Sequence, residues 1–362
     1  MKVLGVVTHN NMGGAQKAMA KLQAHVKEAD FTIVYLYGIG EEGGMINGDV
    51  LVGSKKSLIV KHLLIVLRLF GYIRKEKPDV VISFLPLANV LVPLVAMLLG
   101  VRVRAISHRN PVWTYNWVLR WLDRLWGCWG IFTHVIANSE AVKSSVNHYS
   151  CRYRRKLVVI YNGISNVNGA DDIDHVLDKY GISDKKYVAA IGRLSQQKRF
   201  DVLISALAEV KGVSLVIAGH GELYEELSML AKSEGVDDRV YFLGALPHDD
   251  VIAIMRGAEL YLQPSEFEGQ SNSLLEAISI GSVVVSSNID PQIEVLCAYD
   301  SEAGVIVESW DPSAWAESIN NVLAIPYERD RLHRNALERS KDFSVEKMAS
   351  SYLGVFKDAL AE

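Results

Sequence analysis

The chain has 362 residues, too many for one ordinary core and suited to two domains of roughly 150–180 residues each. With 49% hydrophobic and 22% charged residues, its composition is that of a folded soluble protein. Cys128, Cys151 and Cys297 are scattered, odd in number and without ligand spacing, which excludes a disulfide framework and a zinc site and points to a reducing compartment.

The net charge of −4 hides a division: residues 1–165 carry 21 Lys/Arg against 9 Asp/Glu, and residues 166–362 carry 17 against 33. A first half this basic is suited to something anionic, whether an acidic membrane surface, a phosphorylated acceptor or nucleic acid.

In chain order, the opening MKVLGVVTHN reads as a buried strand (Val3–Thr8) rather than a signal peptide, and a helix follows over Gly14–Lys27. Thr32–Tyr37 is a strand, Leu58–Lys75 a helix and Val80–Phe84 a strand. The 22 uncharged residues from Val80 to Val101 could span a bilayer by length. Ser83, Pro86, Asn89 and Pro93 interrupt them, so they read as a strand and a core helix, Leu87–Leu99. Val103–Ser107 is the next strand, and Val135–Asn138 a short one after a tryptophan-rich helix. That helix region carries Trp113, Trp117, Trp121, Trp126 and Trp129 among Arg120 and Arg124. Core packing is the default for such a row, with a membrane interface the alternative. The segment KHLLIVLRLFGYIRKEK (61–77) has a similar apolar and basic character.

The pattern breaks at YNGIS (161–165), and the polar stretch 166–174 leads into a second half. Its acidic run DDID (171–174) reads as a solvated linker rather than a metal site. Strands follow at 186–192, 214–219, 240–244, Leu260–Gln263 and Val283–Ser286. They alternate with helices over Phe200–Val210, Leu223–Ser233, His248–Arg256 and from about Asn272. Each half is therefore α/β, a doubly wound parallel sheet, with ligands expected at the carboxyl ends of its strands and in a cleft between the halves.

Chemistry-bearing motifs sit at those strand ends. GRLSQQKRFD (192–201) places Arg193 and Lys198 where they could hold a diphosphate; a solvated basic loop is the alternative. FEGQSNSLLEA (267–277) joins a loop glutamate, Glu268, to a helix start suited to phosphate, with Glu276 on the face of Asn272 and suited to a ribose diol. A merely capped helix would look the same. Gly13 and Gly14 form a glycine turn after the first strand, but not the dinucleotide pattern. His108 ends a strand ahead of Arg109 and Asn110. It could orient a substrate hydroxyl or be a structural histidine, and His9 is a weaker counterpart.

Together MGGAQ, ISHRN, VIANSEAV, VIYNGIS, IGRLSQQKRFD, IAGHGELYEEL, DRVYFLG and EGQSNSLLEA resemble glycosyltransferase family 4, over nearly the whole chain. The resemblance implies the GT-B fold: two Rossmann-like domains, 1–165 and 166–345, facing across a cleft, with a final helix (about 346–362) returning to the first. It implies a retaining transferase that moves a hexose or N-acetylhexosamine from a nucleotide-sugar, UDP-sugar favoured. The acceptor would be a glycan or polyprenyl-linked acceptor in surface polysaccharide or lipopolysaccharide biosynthesis, on the cytoplasmic side and in possible peripheral contact with anionic membrane.

It further assigns Arg193 and Lys198 to the diphosphate, Glu268 to the sugar, Glu276 to the ribose, and Ser271, Asn272, Ser273 and Leu274 to phosphate. Gly14 would meet the donor, Arg239, Val240 and Phe242 the base, and His108 the reacting sugar; His9, Asn10, Arg109 and Asn110 would lie by the acceptor. No cofactor, no metal and no nucleic acid is implied, since Arg193, Lys198 and the helix dipole would bear the leaving-group charge. Gln270, Asn272 and His220 depart from the commoner pattern and leave the sugar open. A nucleotide-sugar 2-epimerase of the same fold is the alternative, and a non-catalytic sugar binder the third reading.

Overall fold

The computed structural model describes residues 1–11, 13–38, 48–53, 58–165, 173–183, 185–298 and 301–361. Most of the polar stretch at 166–174, including Asp171 and Asp172, lies outside the described residues. The chain divides into two compact units, Met1–Gly163 with Ser344–Glu362, and Ile164–Phe343.

The first unit runs β1 (Lys2–His9), α1 (Gly14–His25), β2 (Asp30–Tyr37), β3 (Asp49–Val52), α2 (Leu58–Glu76), β4 (Val80–Phe84), α3 (Pro86–Leu98) and β5 (Val103–His108). It continues with α4 (Trp117–Trp129), β6 (His134–Ala137), α5 (Glu140–Ser144), α6 (Cys151–Arg154) and β7 (Leu157–Val159). The strands form one parallel sheet in the order β3-β2-β1-β4-β5-β6-β7. Its central strands are apolar on both faces, because helices cover both. Met19 and Leu22 of α1 pack in one cluster with Tyr352 and Phe356 of the C-terminal helix, Val345–Ala361. On the opposite face Ile65 and Leu69 of α2 pack with Val92 and Val95 of α3. The uncharged run from Val80 is thus a strand and a helix, and no helix among the described residues is long and apolar enough to cross a membrane.

The second unit runs α7 (Ile173–Lys179), β8 (Tyr187–Ile191), α8 (Phe200–Leu207), β9 (Ser214–Ala218), α9 (Tyr224–Ser233), β10 (Val240–Gly244), α10 (His248–Gly257) and β11 (Leu260–Gln263). There follow α11 (Asn272–Ser279), β12 (Val284–Ser287), α12 (Asp290–Leu296), the two-residue strands β13 (Cys297–Ala298) and β14 (Ser301–Glu302), β15 (Gly304–Val307), α13 (Pro312–Ala324) and α14 (Pro326–Ser340). Its main sheet is parallel, in the order β10-β9-β8-β11-β12-β15. In both units the order reverses beside the first strand, the doubly wound arrangement. Strands β3, β7 and β15, of 4, 3 and 4 residues, escape the pattern reading because they are too short to show a period.

One expectation for the first unit is corrected, and one alternative is described more closely. Trp113, Trp117, Trp121 and Trp129 are each more than half exposed rather than in the core. Only Trp126 turns inward, its indole N–H donating to Val90 O at 3.0 Å. Arg120 and Arg124 intervene in the row, which therefore has no single helical stripe to bury. His108, in turn, does not face solvent: it is 1% exposed. Its Nε2 lies 2.7 Å from Tyr153 Oη, which donates to Asp123 Oδ2 at 2.9 Å, and its Nδ1 lies 3.2 Å from Tyr115 Oη. A ring protonated on Nε2 donates to Tyr153 Oη, while the one Tyr115 hydroxyl proton has two acceptors in reach, His108 Nδ1 and Asn110 O at 3.1 Å.

Burial lowers the His108 imidazole to about 4 and raises the Asp123 carboxyl to about 7. At neutral pH the 3.5 Å approach of His108 Nε2 to Asp123 Oδ1 is therefore a contact of a neutral ring, not an ion pair.

Two outcomes test these packings. Gly219 has φ +147, and a Cβ there would stand 1.8 Å from Gly192 O. Gly219→Ala should cost about 2–3 kcal/mol or more in denaturant unfolding, since backbone must move. For Asp123, whose raised folded pKa favours the protonated form, stability is full below the unfolded value and is lost as pH rises through the folded one. His108 works in the opposite sense between pH 4 and 6.5. The stability of the native chain relative to Asp123→Asn should therefore fall between pH 4 and 7, and a pH-independent difference would refute the buried-carboxyl assignment.

Candidate functional site

The reversal of strand order in the second unit lies between β8 and β11, whose following loops leave in opposite directions. The β8 loop contains a 3₁₀ turn, Gln196–Lys198, followed by Arg199 at φ +48. It is tied to the β11 loop at three points. Gln197 Nε2 donates to Phe267 O at 2.9 Å, Glu266 N donates to Gln197 O at 2.8 Å, and Lys198 Nζ lies 2.5 Å from Glu268 Oε1. Ser265 Oγ donates to the same carboxylate oxygen at 2.9 Å.

The two charges expected to serve different parts of a ligand are thus joined to one another, and both are largely buried. An ammonium has three donors and a carboxylate two oxygens, so each keeps capacity for a ligand while the pair fixes its direction. Gly192 makes this possible. Its φ is +156, and a Cβ there would crowd the Lys198 stem at 2.9 Å.

Arg193, on the same loop, is exposed, and its guanidinium makes no hydrogen bond or ion pair among the described residues. Arg199 instead chelates Asp201, Nε to Oδ1 at 3.1 Å and Nη2 to Oδ2 at 3.0 Å. The basic run therefore divides into one exposed cation, one cation facing the site and one locally neutralised. The β9 loop closes one side: Leu194 N donates to His220 O at 3.1 Å, and Leu223 N to Leu194 O at 3.1 Å.

Helix α11 begins at the other side of the reversal. Ser271 is its N-cap, accepting from Leu274 N at 3.3 Å while donating to Gln263 Oε1 at 3.0 Å. The first turn, Asn272 and Ser273, is half-buried, and its backbone N–H groups have no intrahelical acceptor. Together with the helix dipole, such an end is suited to an anion. The Leu274 side chain lies in the core, so only its backbone is available. Glu276, one turn on and 7% exposed, has His248 Nε2 of α10 at 4.0 Å from its Oε1.

The Arg239 side chain, expected by the base, is engaged within the unit. Its guanidinium donates to Leu207 O at 2.8 Å and Val210 O at 2.7 Å, closing the carboxyl end of α8. Val240 is buried, and Phe242 meets Tyr224 edge-on at 5.4 Å.

In the first unit, His9 and Asn10 end β1, and Gln16 Nε2 holds His9 through its carbonyl oxygen at 3.0 Å and lies 3.2 Å from Nδ1. Gly14 is exposed at the start of α1. Arg109 is buried, hydrogen-bonded to Asn162 Oδ1 and 4.8 Å from the Phe84 ring centre. Beside it lies a pocket of about 220 Å³ lined by Leu85, Pro86, Arg109, Asn110, Tyr115 and Leu119. Leu85 holds φ +77, a conformation costly for a leucine. The buried His108 ring is hydrogen-bonded just before Arg109 and Asn110. Gln197, Gln263 and Ser265 show in the sequence only as polar residues at a strand end or in the loop after it, and His248, Tyr153 and Asp123, within helices, carry no such signal.

Two family profiles tile the chain: Glycosyltransferase Family 4 matches residues 12–166, and Glycosyl transferases group 1 matches residues 172–339. The lipopolysaccharide core biosynthesis glycosyltransferase LpsE of Rhizobium meliloti is 26% identical over 300 residues, 82% of this chain and 81% of that one. An α-1,4-N-acetyl-D-galactosaminyltransferase of Campylobacter jejuni, named for an undecaprenol-diphosphate-linked acceptor, is 25% identical over 98% of this chain and 97% of its own. The match to a D-inositol 3-phosphate glycosyltransferase of Salinispora tropica, 31% identical, spans 50% of this chain and 40% of that relative. Among solved structures, Anabaena HepE in complex with UDP and glucose aligns with a TM-score of 0.85 at 18% identity, covering 99% of this chain and 100% of that one. With both halves matched in order and both sheets doubly wound, the chain belongs to the family 4 and group 1 glycosyltransferases of the GT-B fold.

Proposed function

We propose that the protein is a retaining glycosyltransferase. It would move a hexose or N-acetylhexosamine from a UDP-sugar to a hydroxyl of a glycan or lipid-linked oligosaccharide, in surface polysaccharide or lipopolysaccharide biosynthesis on the cytoplasmic side of a membrane. The observation that carries the reading is the joining of the β8 and β11 loops through Lys198 and Glu268 beside the α11 N-terminus. The relatives support it in kind: LpsE is named for lipopolysaccharide core biosynthesis, and the Campylobacter enzyme for a polyprenol-linked acceptor. Their printed activities are transfers, which favours transfer over the 2-epimerase reading.

In this reading the α11 first turn, Arg193 and Lys198 take the diphosphate, so that its developing negative charge is met by fixed positive charge as the sugar leaves, and no metal is required. Glu276 accepts from the ribose hydroxyls. Glu268, with one oxygen committed to Lys198 and Ser265, offers the other to a sugar hydroxyl. It therefore couples sugar recognition to the position of the diphosphate clamp. Retention follows a front-face course, in which the departing diphosphate helps deprotonate the acceptor.

Incubation with labelled UDP- and GDP-sugars and undecaprenyl-diphosphate glycans, with anomeric analysis of the product, tests the proposal; free epimerised nucleotide-sugar with no larger product refutes it. Glu276→Ala should weaken UDP binding by about tenfold or more by calorimetry, the loss of a charged acceptor. Lys198→Ala should lower kcat by about 10²–10³ while UDP remains bound. Full activity in both variants would remove the donor site from this unit. Glu268→Gln keeps shape but loses the ion pair, and should lower kcat and shift preference among donor sugars.

A further inference from the structure

The first turn of α1 is tied to the strand before it. Its N-cap, Gly13, offers no side-chain cap, and Gln16 stands at the third helical position, where a glutamine ordinarily reaches back to its own cap. Here the Gln16 carboxamide nitrogen reaches the end of β1 instead. It lies 3.0 Å from His9 O and 3.2 Å from His9 Nδ1, and the residue is 2% exposed. Gly13 leaves it the room. The glycine has φ −156, open to any residue, but a Cβ there would stand 3.0 Å from Gln16 Oε1. Space for the carboxamide, not the backbone angle, accounts for this glycine.

These contacts decide the protonation of the His9 ring. A backbone carbonyl only accepts, so the amide atom facing His9 O is the nitrogen and not the oxygen. That nitrogen has a second hydrogen, and the ring atom within its reach is Nδ1. Nδ1 must then present its lone pair, which leaves a neutral ring with its proton on Nε2. A proton on Nδ1 would set two N–H groups against each other at the strand end. On the β2 side the imidazole meets Tyr37, its partner in register, with ring centres 6.1 Å apart. Lys61 Nζ of α2 lies 3.6 Å from the Tyr37 ring centre. Neither group supplies the negative charge that would favour a doubly protonated imidazole.

We propose that Gln16 is a positioning residue that fixes His9 as a neutral imidazole protonated on Nε2, and that His9 acts on the acceptor as a hydrogen-bond donor to one of its oxygens, not as a base. The second half rests on the transferase reading above; the first does not. In that reading the acceptor proton leaves toward the departing diphosphate, and His9 holds the acceptor without competing for that proton.

Both halves are tested on the full chain. With isotope-labelled histidine, hydrogen–nitrogen correlation spectra separate a ring nitrogen that carries hydrogen from one that does not. They are recorded at about pH 8, above the ordinary imidazole value, and the signals missing from His9→Asn are those of His9. The native chain should show hydrogen on Nε2 and none on Nδ1. Gln16→Glu keeps the shape but offers only acceptors, and should put hydrogen on Nδ1. Gln16→Met fills the space without donor or acceptor, and should leave the ring averaged between its two neutral forms. Hydrogen on Nδ1 in the native chain, or a ring indifferent to both substitutions, overturns the assignment.

For activity, an amide can donate but cannot take up a proton. His9→Gln brings its NH2 near the place of Nε2, and His9→Asn near that of Nδ1. His9→Asn should lower kcat about tenfold, the loss of one hydrogen bond, and His9→Gln should restore most of it, with UDP affinity unchanged in both. Equal losses in the two variants, no loss in either, or losses of about 10²–10⁴ as for a removed base, overturn the donor role. Should the ring spectra come out as expected while the native chain neither binds UDP nor transfers sugar, the Gln16 assignment stands and the proposed function falls with the donor role.

Discussion

The second unit depends on one constraint: two loops must diverge from adjacent parallel strands and still act together. Where strand order reverses between β8 and β11, the polypeptide leaves on opposite sides of the sheet, and nothing in the sheet's own hydrogen bonding spans the gap. Lys198 with Glu268, Gln197 with the backbone of Phe267, and Glu266 N with Gln197 O close it. The ion pair is shielded enough for its charges to interact strongly, and it is backed by Ser265, so the carboxylate is not left with a single partner. Around it, close glycine contacts at Gly192 and Gly219 bring neighbouring strand ends to backbone contact distance. The helix start at Ser271 is likewise set by the strand before it, through Gln263.

The first unit solves a different problem with neutral groups. His108 lies too deep for a charge, and burial drives both it and Asp123 toward their uncharged forms. Tyr153 stands between them and supplies the hydrogen bonds that burial would otherwise deny. The result is a strand end held by hydrogen bonds among largely neutral groups. That anchoring has a purpose if Arg109 and Asn110 meet a ligand, because their own backbone follows directly from β5.

The architecture was legible in the sequence because parallel strands buried on both faces leave unbroken apolar runs, as at Val80–Phe84 and Leu215–Ala218. The motif residues were legible for a related reason: a strand end followed by Gly, Ser and Asn is both a local composition and a place in the fold. What was not legible is pairing at a distance. Lys198 and Glu268 stand 70 positions apart, and Tyr153 and Asp123 stand 30 apart. Arg239 entered as a base contact through the family resemblance alone, and no local pattern announces that its guanidinium meets the carbonyls at the end of α8. The tryptophans misled because size alone argues for burial, and only tertiary context shows which side of α4 the sheet takes.

The discontinuity of the first unit has a consequence for how the chain comes together. Val345, Met348, Tyr352 and Phe356 belong to the same apolar cluster as Val3, Met19 and Ile82. Synthesis supplies the sheet first and this last layer only after all of residues 164–343 have been made. A growing chain thus carries an unfinished hydrophobic face while the entire second unit is already free to fold as a complete body. The order of completion is inverted relative to the order of translation: the part begun first is sealed last.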